Sequence, residues 1–280
     1  MSEYTYIATD SAFTDYLGRL KQRGTLTIAV DLEGEFNLHV YGERFCLLQI
    51  YDGHEQVAVD PQTTSIDLIK SLLENRNLLK ITYDCLSDRA LLFKAHGITM
   101  NSILDLRPAV EILDFEKQDL QSVLSASLGQ SESGNKKRFQ QYNWTRRPIE
   151  DAAIAYAMKD VLHLFELKDR LLADLVRTSK LEVYILENLK RQDRLPPIDR
   201  QPGVFRSGRH RALKPDQQQR FRHLYDVRER YARTLDLPPN TVVSNNDLFA
   251  LAAGTITLDQ VRGNRRVPNQ TLEDLKKEFA

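Results

Sequence analysis

Only two of the 280 residues are cysteine, Cys46 and Cys85, and they lie far apart in apolar-leaning segments. That argues against a disulfide-stapled scaffold or a cysteine-rich zinc site and leaves two buried free thiols as the expectation. No apolar run approaches the roughly 18 residues of a membrane span. The N-terminal "MSEYTYIATDSAF" has neither the basic nor the apolar part of a signal peptide, so the expected compartment is the cytoplasm, with no membrane partner. Net charge is also missing, since 39 Lys+Arg balance 39 Asp+Glu. The balance hides an asymmetry: residues 201–280 carry 14 basic against 9 acidic side chains, net +5, and residues 1–200 carry net −5. A mildly basic C-terminal module beside an acidic main domain is compatible with nucleic-acid binding. An apolar fraction of 41% and a charged fraction of 28% describe a chain that can pack a core.

The pattern along the chain divides it. "LTIAVDLEGEF", "FCLLQIYDG" and "EQVAVD" are β-prone runs separated by turn residues, and they predict a three-strand meander. "SIDLIKSLLENRN" has helical spacing, "LLKITYD" reads as a fourth strand, and "SDRALLFKAHG" reads as a helix stopped by Gly97. Residues 129–148 are rich in Gly, Ser, Asn, Lys and Arg and predict a loop. From Ile149 to about Lys190 the apolar positions recur at i, i+3, i+4 without Pro or Gly, which predicts one long helix or two in sequence. Residues 1–190 thus form one α/β domain, a mixed sheet flanked by helices. Residues 191–212, rich in Arg, Pro and Gly, read as a linker. Residues 213–280 predict a small all-α domain of four short helices, with Ser244 and Asn246 as N-caps and Gly254 and Gly263 as stops.

Asp31 and Glu33 follow the run Leu26 to Val30. Strand residues i and i+2 point to one face, so two carboxylates converge at the strand exit. Like charges so placed raise each other's pKa unless a cation compensates, and a divalent metal is the economical reading. A solvated strand end is the bland alternative for an isolated Asp-x-Glu. Tyr156 and Asp160, four apart on a periodic helix, put a phenol and a carboxylate on one face. Asp88 opens a helix directly after a strand, where a first-turn acid is also favoured by the helix dipole alone. The order of strand-end Asp-x-Glu, turn Asp and helical Tyr-x-x-x-Asp makes chance an unattractive explanation.

In that order Asp31, Glu33, Asp88, Tyr156 and Asp160 resemble the three motifs of the DEDD exonucleases, Tyr-containing branch, and the ribonuclease D family in particular. "FCLLQIYDG" resembles that family's second strand. "NWTRRPIEDAAIAYAMKDVLHLFEL" resembles its W-x-x-R-P-L segment running into a Y-A-x-x-D helix, with Trp144, Arg147 and Pro148 in register. Residues 213–280 resemble the helical HRDC module. The implied fold is a ribonuclease H-like exonuclease domain followed by an HRDC-like helical domain. Motif I departs from the family's Asp-Thr-Glu-Phe, and the second motif offers both Asp84 and Asp88. Asp88 is assigned to the metal and Asp84 to a supporting role.

The resemblance implies a two-metal 3'-5' exoribonuclease that releases nucleoside 5'-monophosphates from RNA 3' ends, in tRNA 3' maturation or RNA turnover. Two divalent ions, Mg²⁺ or Mn²⁺, suit the all-oxygen ligands. Asp31 would bridge both, Glu33 and Asp160 would complete one site, and Asp88 would hold the other. Tyr156 would orient the attacking water. "NKKRFQQYNWTRR" mixes five basic residues with Phe139, Tyr142 and Trp144, a composition suited to phosphate contact beside base stacking. Within it Lys137, Gln140 and Arg147 match the family's phosphate-contacting segment, and His39 and Tyr41 are candidates to flank the terminal nucleotide. The same acids would serve an exonuclease acting on DNA or short oligonucleotides.

Overall fold

The computed structural model describes residues 4–130, 139, 141–194 and 201–280. The chain divides into two compact units, one of residues 1–34 and 44–198, the other of residues 35–43 and 199–280.

In the first unit β1 (Thr5–Ile7), α1 (Asp10–Gln22), β2 (Thr27–Phe36), β3 (Glu43–Tyr51), β4 (Gln56–Val59), α2 (Ile66–Leu73), β5 (Leu79–Thr82), α3 (Leu86–His96) and β6 (Ile103–Asp105) follow in order. Among the described residues six strands form one mixed sheet in the order β1-β4-β3-β2-β5-β6. The expected meander is its centre. β3 and β4 run antiparallel, whereas β5 joins β2 in parallel, with Ala29 opposite Ile81. Parallel neighbours need a crossover, and α2 supplies it.

Alternation along β2 divides its apolar residues between two cores. Ile28, Val30 and Leu32 pack with Phe13 and Tyr16 of α1, Ile69 of α2 and Leu92 of α3. Ala29 faces the other way, into the core built by α4 (Arg107–Ile112), α5 (Leu120–Leu128), α6 (Asp151–Leu162), α7 (Leu164–Arg177) and α8 (Leu181–Asp193). Residues two apart share a face, so Asp31 and Glu33 continue the Ala29 face toward those later helices.

The predicted one or two helices over 149–190 are three. The first break falls at His163, with φ −100° and ψ 4°. The second falls at Ser179, which takes a left-handed φ of 56° while the Lys180 N–H donates back to the Leu175 carbonyl at 2.8 Å. Neither break carries Gly or Pro, so composition gave no sign of them. Gly97 does stop α3, at φ 63°.

The second unit holds α9 (Pro215–Leu235), α10 (Asn245–Ala253) and α11 (Asn269–Phe279), with short turns between them, around Phe221, Leu224, Leu248, Leu251 and Leu275. Ser244 caps α10 by accepting the Asp247 N–H, and Asn246 lies inside the helix, not at its cap. "TLDQVRG" forms only the three-residue 3₁₀ turn Leu258–Gln260. The stretch read as linker includes residues of regular structure and of the core: α8 continues to Asp193, and Phe205 is buried against Phe221 and Tyr225. The hairpin tip 35–43 belongs to this unit. The Tyr41 hydroxyl donates to Glu229 at 3.3 Å, and Arg266 donates to the His39 carbonyl at 3.0 Å.

Candidate active site

β2 ends its apolar stretch with Asp31 and Glu33. α6, amphipathic with Ala153, Ile154, Ala157, Met158 and Val161 buried, sends Tyr156 and Asp160 out along its neighbouring face. Asp88 comes from the first turn of α3. Asp31 and Asp160 line a cleft of about 200 Å³ whose remaining wall is Tyr83, Leu120 and Leu164. Tyr83 is fixed there because its hydroxyl donates to the Gln118 carbonyl at 2.5 Å.

Charge ties the four acids together. Burial raises the Asp31 carboxyl well above its ordinary range, and the negative charges of Asp88, Asp160 and Glu33 raise it further. Burial, then Asp160 and Asp88, push Glu33 up to about 8. Burial, then Asp84 and Asp105, push Asp88 up to about 7. Three segments remote in sequence thus bring their acids within mutual repulsion, the charge pattern a divalent cation relieves. Among the described residues no three His, Cys, Asp or Glu side chains close around one point as a finished cage. The donor set nevertheless fits a hard divalent ion, being all carboxylate and in negative excess.

Two nearby acids contrast with these. Glu35, next in the alternation of β2, is buried but accepts from the backbone N–H groups of Leu38 and His39 and pairs with the His39 ring at 3.1 Å, so it staples the hairpin tip. Asp84 takes a left-handed φ of 58° at the strand-to-helix turn, a conformation Asp tolerates better than most residues. Its exposed carboxylate lies 3.5 Å from Arg107 and 3.8 Å from Arg191. Those cations satisfy Asp84, which favours Asp88 as the acid left for a metal.

The sequence reading missed Asp105. This fully buried side chain accepts from the N–H groups of Asp84 at 2.8 Å and Arg107 at 3.0 Å, and from Arg191 at 2.9 Å. It therefore fixes the turn from which Asp88 projects. Its signal was slight, a lone Asp at the end of a three-residue strand.

The proposed substrate contacts fare unevenly. Lys137 and Gln140 lie outside the described residues. His39 and Tyr41 belong to the second unit, where Tyr41 donates to Glu229 and lies under Arg233, 5.5 Å from its ring centre. Phe139 stacks on Tyr156 at 5.2 Å, and Tyr142 and Trp144 meet edge-on at 4.8 Å.

Arg147 does not present itself to a phosphate. Its Nε and Nη2 grip Asp60 at 2.6 and 2.7 Å, Nη2 also donates to the Cys46 carbonyl, and Nη1 donates to the Trp144 and Arg146 carbonyls. Every nitrogen of the guanidinium is spent within the protein. Burial pushes the Asp60 carboxyl up, but Arg147 and a Tyr6 hydroxyl at 2.6 Å outweigh it and hold Asp60 below the ordinary carboxylate range. Arg147→Met is accordingly expected to cost stability, about 3 kcal/mol by analogy with other broken buried pairs. KM for a nucleic-acid substrate, RNA or DNA, should be nearly unchanged at temperatures where the variant stays folded, if the chain acts on one. Denaturant unfolding beside steady-state kinetics checks this, and a large rise in KM with stability intact would return Arg147 to the substrate.

Residues 4–176 match the family model of the 3'-5' exonuclease domain, and residues 217–258 match that of the HRDC domain. Ribonuclease D of Sphingobium indicum is 27% identical over 231 residues, covering 81% of this chain and 58% of that protein. The chain thus spans less than two thirds of the length of such relatives. The catalytic core of RRP6 from Trypanosoma brucei superposes with a TM-score of 0.80 at 21% identity, over 99% of this chain and 78% of that one. Escherichia coli RNase D does so with a TM-score of 0.74 at 22% identity, over 99% and 75%. At these identities the structural likeness speaks for the fold.

Proposed function

Because the chain belongs to the 3'-5' exonuclease family, we propose that it is a metal-dependent 3'-5' exoribonuclease that releases nucleoside 5'-monophosphates from RNA 3' ends. The observation that carries this reading is the gathering of Asp31, Glu33, Asp88 and Asp160 within mutual repulsion beside one small cleft.

A phosphodiester resists attack because its own charge repels nucleophiles, and a pair of Mg²⁺ or Mn²⁺ ions supplies neutralisation, an activated water and support for the departing 3' oxygen. The protein's part is to hold and to aim. Asp31, Glu33 and Asp160, with Asp88 steadied by the Asp105 turn, would hold these ions. Tyr156 orients the attacking water by hydrogen bond. Its ring is kept in place by Phe139. Tyr83, Leu120 and Leu164 offer the terminal nucleoside an apolar wall beside the acids. RNA is the favoured substrate because the ribonuclease D and RRP6 proteins match the chain along most of its length.

Parallel digestion of one sequence as RNA, as DNA and as a dinucleotide tests the substrate. RNA should have the highest kcat/KM. A preference for DNA or for the dinucleotide would move the assignment to those polymers while leaving the metal chemistry in place.

A further inference from the structure

Gln49 lies in the middle of β3 and is fully buried. It is paired with Ala58 of β4, and directly opposed residues on antiparallel neighbours point to the same face. Ala58 belongs to the core beneath α6 and α7, as does Ala29, two residues before Asp31. β3 is the neighbour of β2 in the sheet. Gln49 therefore occupies the face that carries Asp31 and Glu33, one strand away, under the helix that carries Tyr156 and Asp160.

Neither its Nε2 nor its Oε1 has a hydrogen-bond partner among the described residues. A side-chain amide shut away from water and left unpaired is costly, and an apolar residue of similar length would fill this core at lower free energy. Asp31 and Glu33, on the neighbouring strand, are among the polar groups that share its face. A neutral amide is well suited to them: its N–H can orient a carboxylate without adding negative charge and without competing with a cation, as Lys or Arg would.

We propose that Gln49 is a positioning residue of the active site, whose Nε2–H orients the Asp31 and Glu33 carboxylates when they hold divalent ions. This rests on the metal-dependent reading above.

The test compares wild type, Gln49→Met and Gln49→Leu in three measurements: Tm without metal, Mn²⁺ affinity by calorimetry without nucleic acid, and kcat and KM on labelled RNA. Gln49→Met should fold with a Tm at or above that of wild type, because an unpaired amide is gone. Its Mn²⁺ affinity and its kcat should each fall about tenfold or more, the range for residues that orient metal ligands, with KM little changed. Gln49→Leu removes the donor without adding charge, so it should show the same losses and decides the matter if the Met variant does not fold. Unchanged Mn²⁺ affinity and kcat in either folded variant would overturn the proposal. So would a kcat loss explained by a lower Tm and a smaller folded fraction. Failure of the nuclease reading would appear differently, as a wild-type protein that releases no nucleotide, while the calorimetry and Tm would still judge Gln49.

Discussion

Asp31→Asn should lose nucleotide release by on the order of 10³-fold or more, the scale seen when a group acting as one unit with its neighbours is removed. An amide is neutral and cannot bridge two cations. The same substitution should stabilise the ion-free protein. Burial and then the charges of Asp88, Asp160 and Glu33 raise Asp31, so its ionised form opposes folding. The sign follows from proton linkage: a carboxyl whose folded pKa is raised keeps its proton in the native state at pH values where the unfolded chain has lost it. Stability is then full below the ordinary carboxylate range and falls as pH rises through about 7 for Asp88 and about 8 for Glu33. The ion-free wild type should show a Tm that declines between about pH 5 and pH 8, and Asp31→Asn should flatten the decline. Mn²⁺ should raise the wild-type Tm more at pH 8 than at pH 6, since protons compete for the same oxygens. Most of that gain should vanish in Asp31→Asn. Thermal unfolding at the two pH values, with EDTA and with Mn²⁺, checks both halves. An Asp31→Asn enzyme of wild-type activity would remove the bridging role.

Tyr156→Phe should lower kcat by about 10²-fold, at the lower end of what orienting and acid–base groups contribute. The ring would stay where it is, stacked 5.2 Å from Phe139, so only the hydroxyl is lost. Tm and Mn²⁺ affinity should remain near wild type, which separates this variant from Asp31→Asn. Single-turnover kinetics with saturating enzyme give the chemical step directly. A Phe variant as fast as wild type would mean that another group aligns the water.

What could be read from the sequence was what local chemistry writes into it. β2 and α6 were legible because period-2 and period-3.6 patterns survive in short windows, and with them came Asp31, Glu33, Tyr156 and Asp160 as candidates. Gly97 and Ser244 were legible because a left-handed stop and an N-cap each favour particular residues. Ser179 was not, because a serine in a left-handed turn has no such signature. β1 and β6, three residues each, are too short to show alternation and exist through pairing with β4 and β5. The ion pair of Arg147 was hidden for a related reason. Its partner Asp60 is 87 residues away, and nothing near Arg147 announces that its donors are taken. The sequence assigned Asp88 to the metal without showing what holds Asp84; folding brings Arg107 and Arg191 to the Asp84 carboxylate.

The most direct measurement is a time course on 5'-labelled RNA with a free 3' hydroxyl, run with Mg²⁺, with Mn²⁺ and with EDTA, and with the released products identified. Carboxylates that hold divalent ions at a 3'-terminal cleft should give a ladder that shortens one nucleotide at a time, nucleoside 5'-monophosphates as the sole small product, complete arrest by EDTA and recovery on adding the ion back. Internal fragments appearing first, or the same ladder in EDTA, would contradict it.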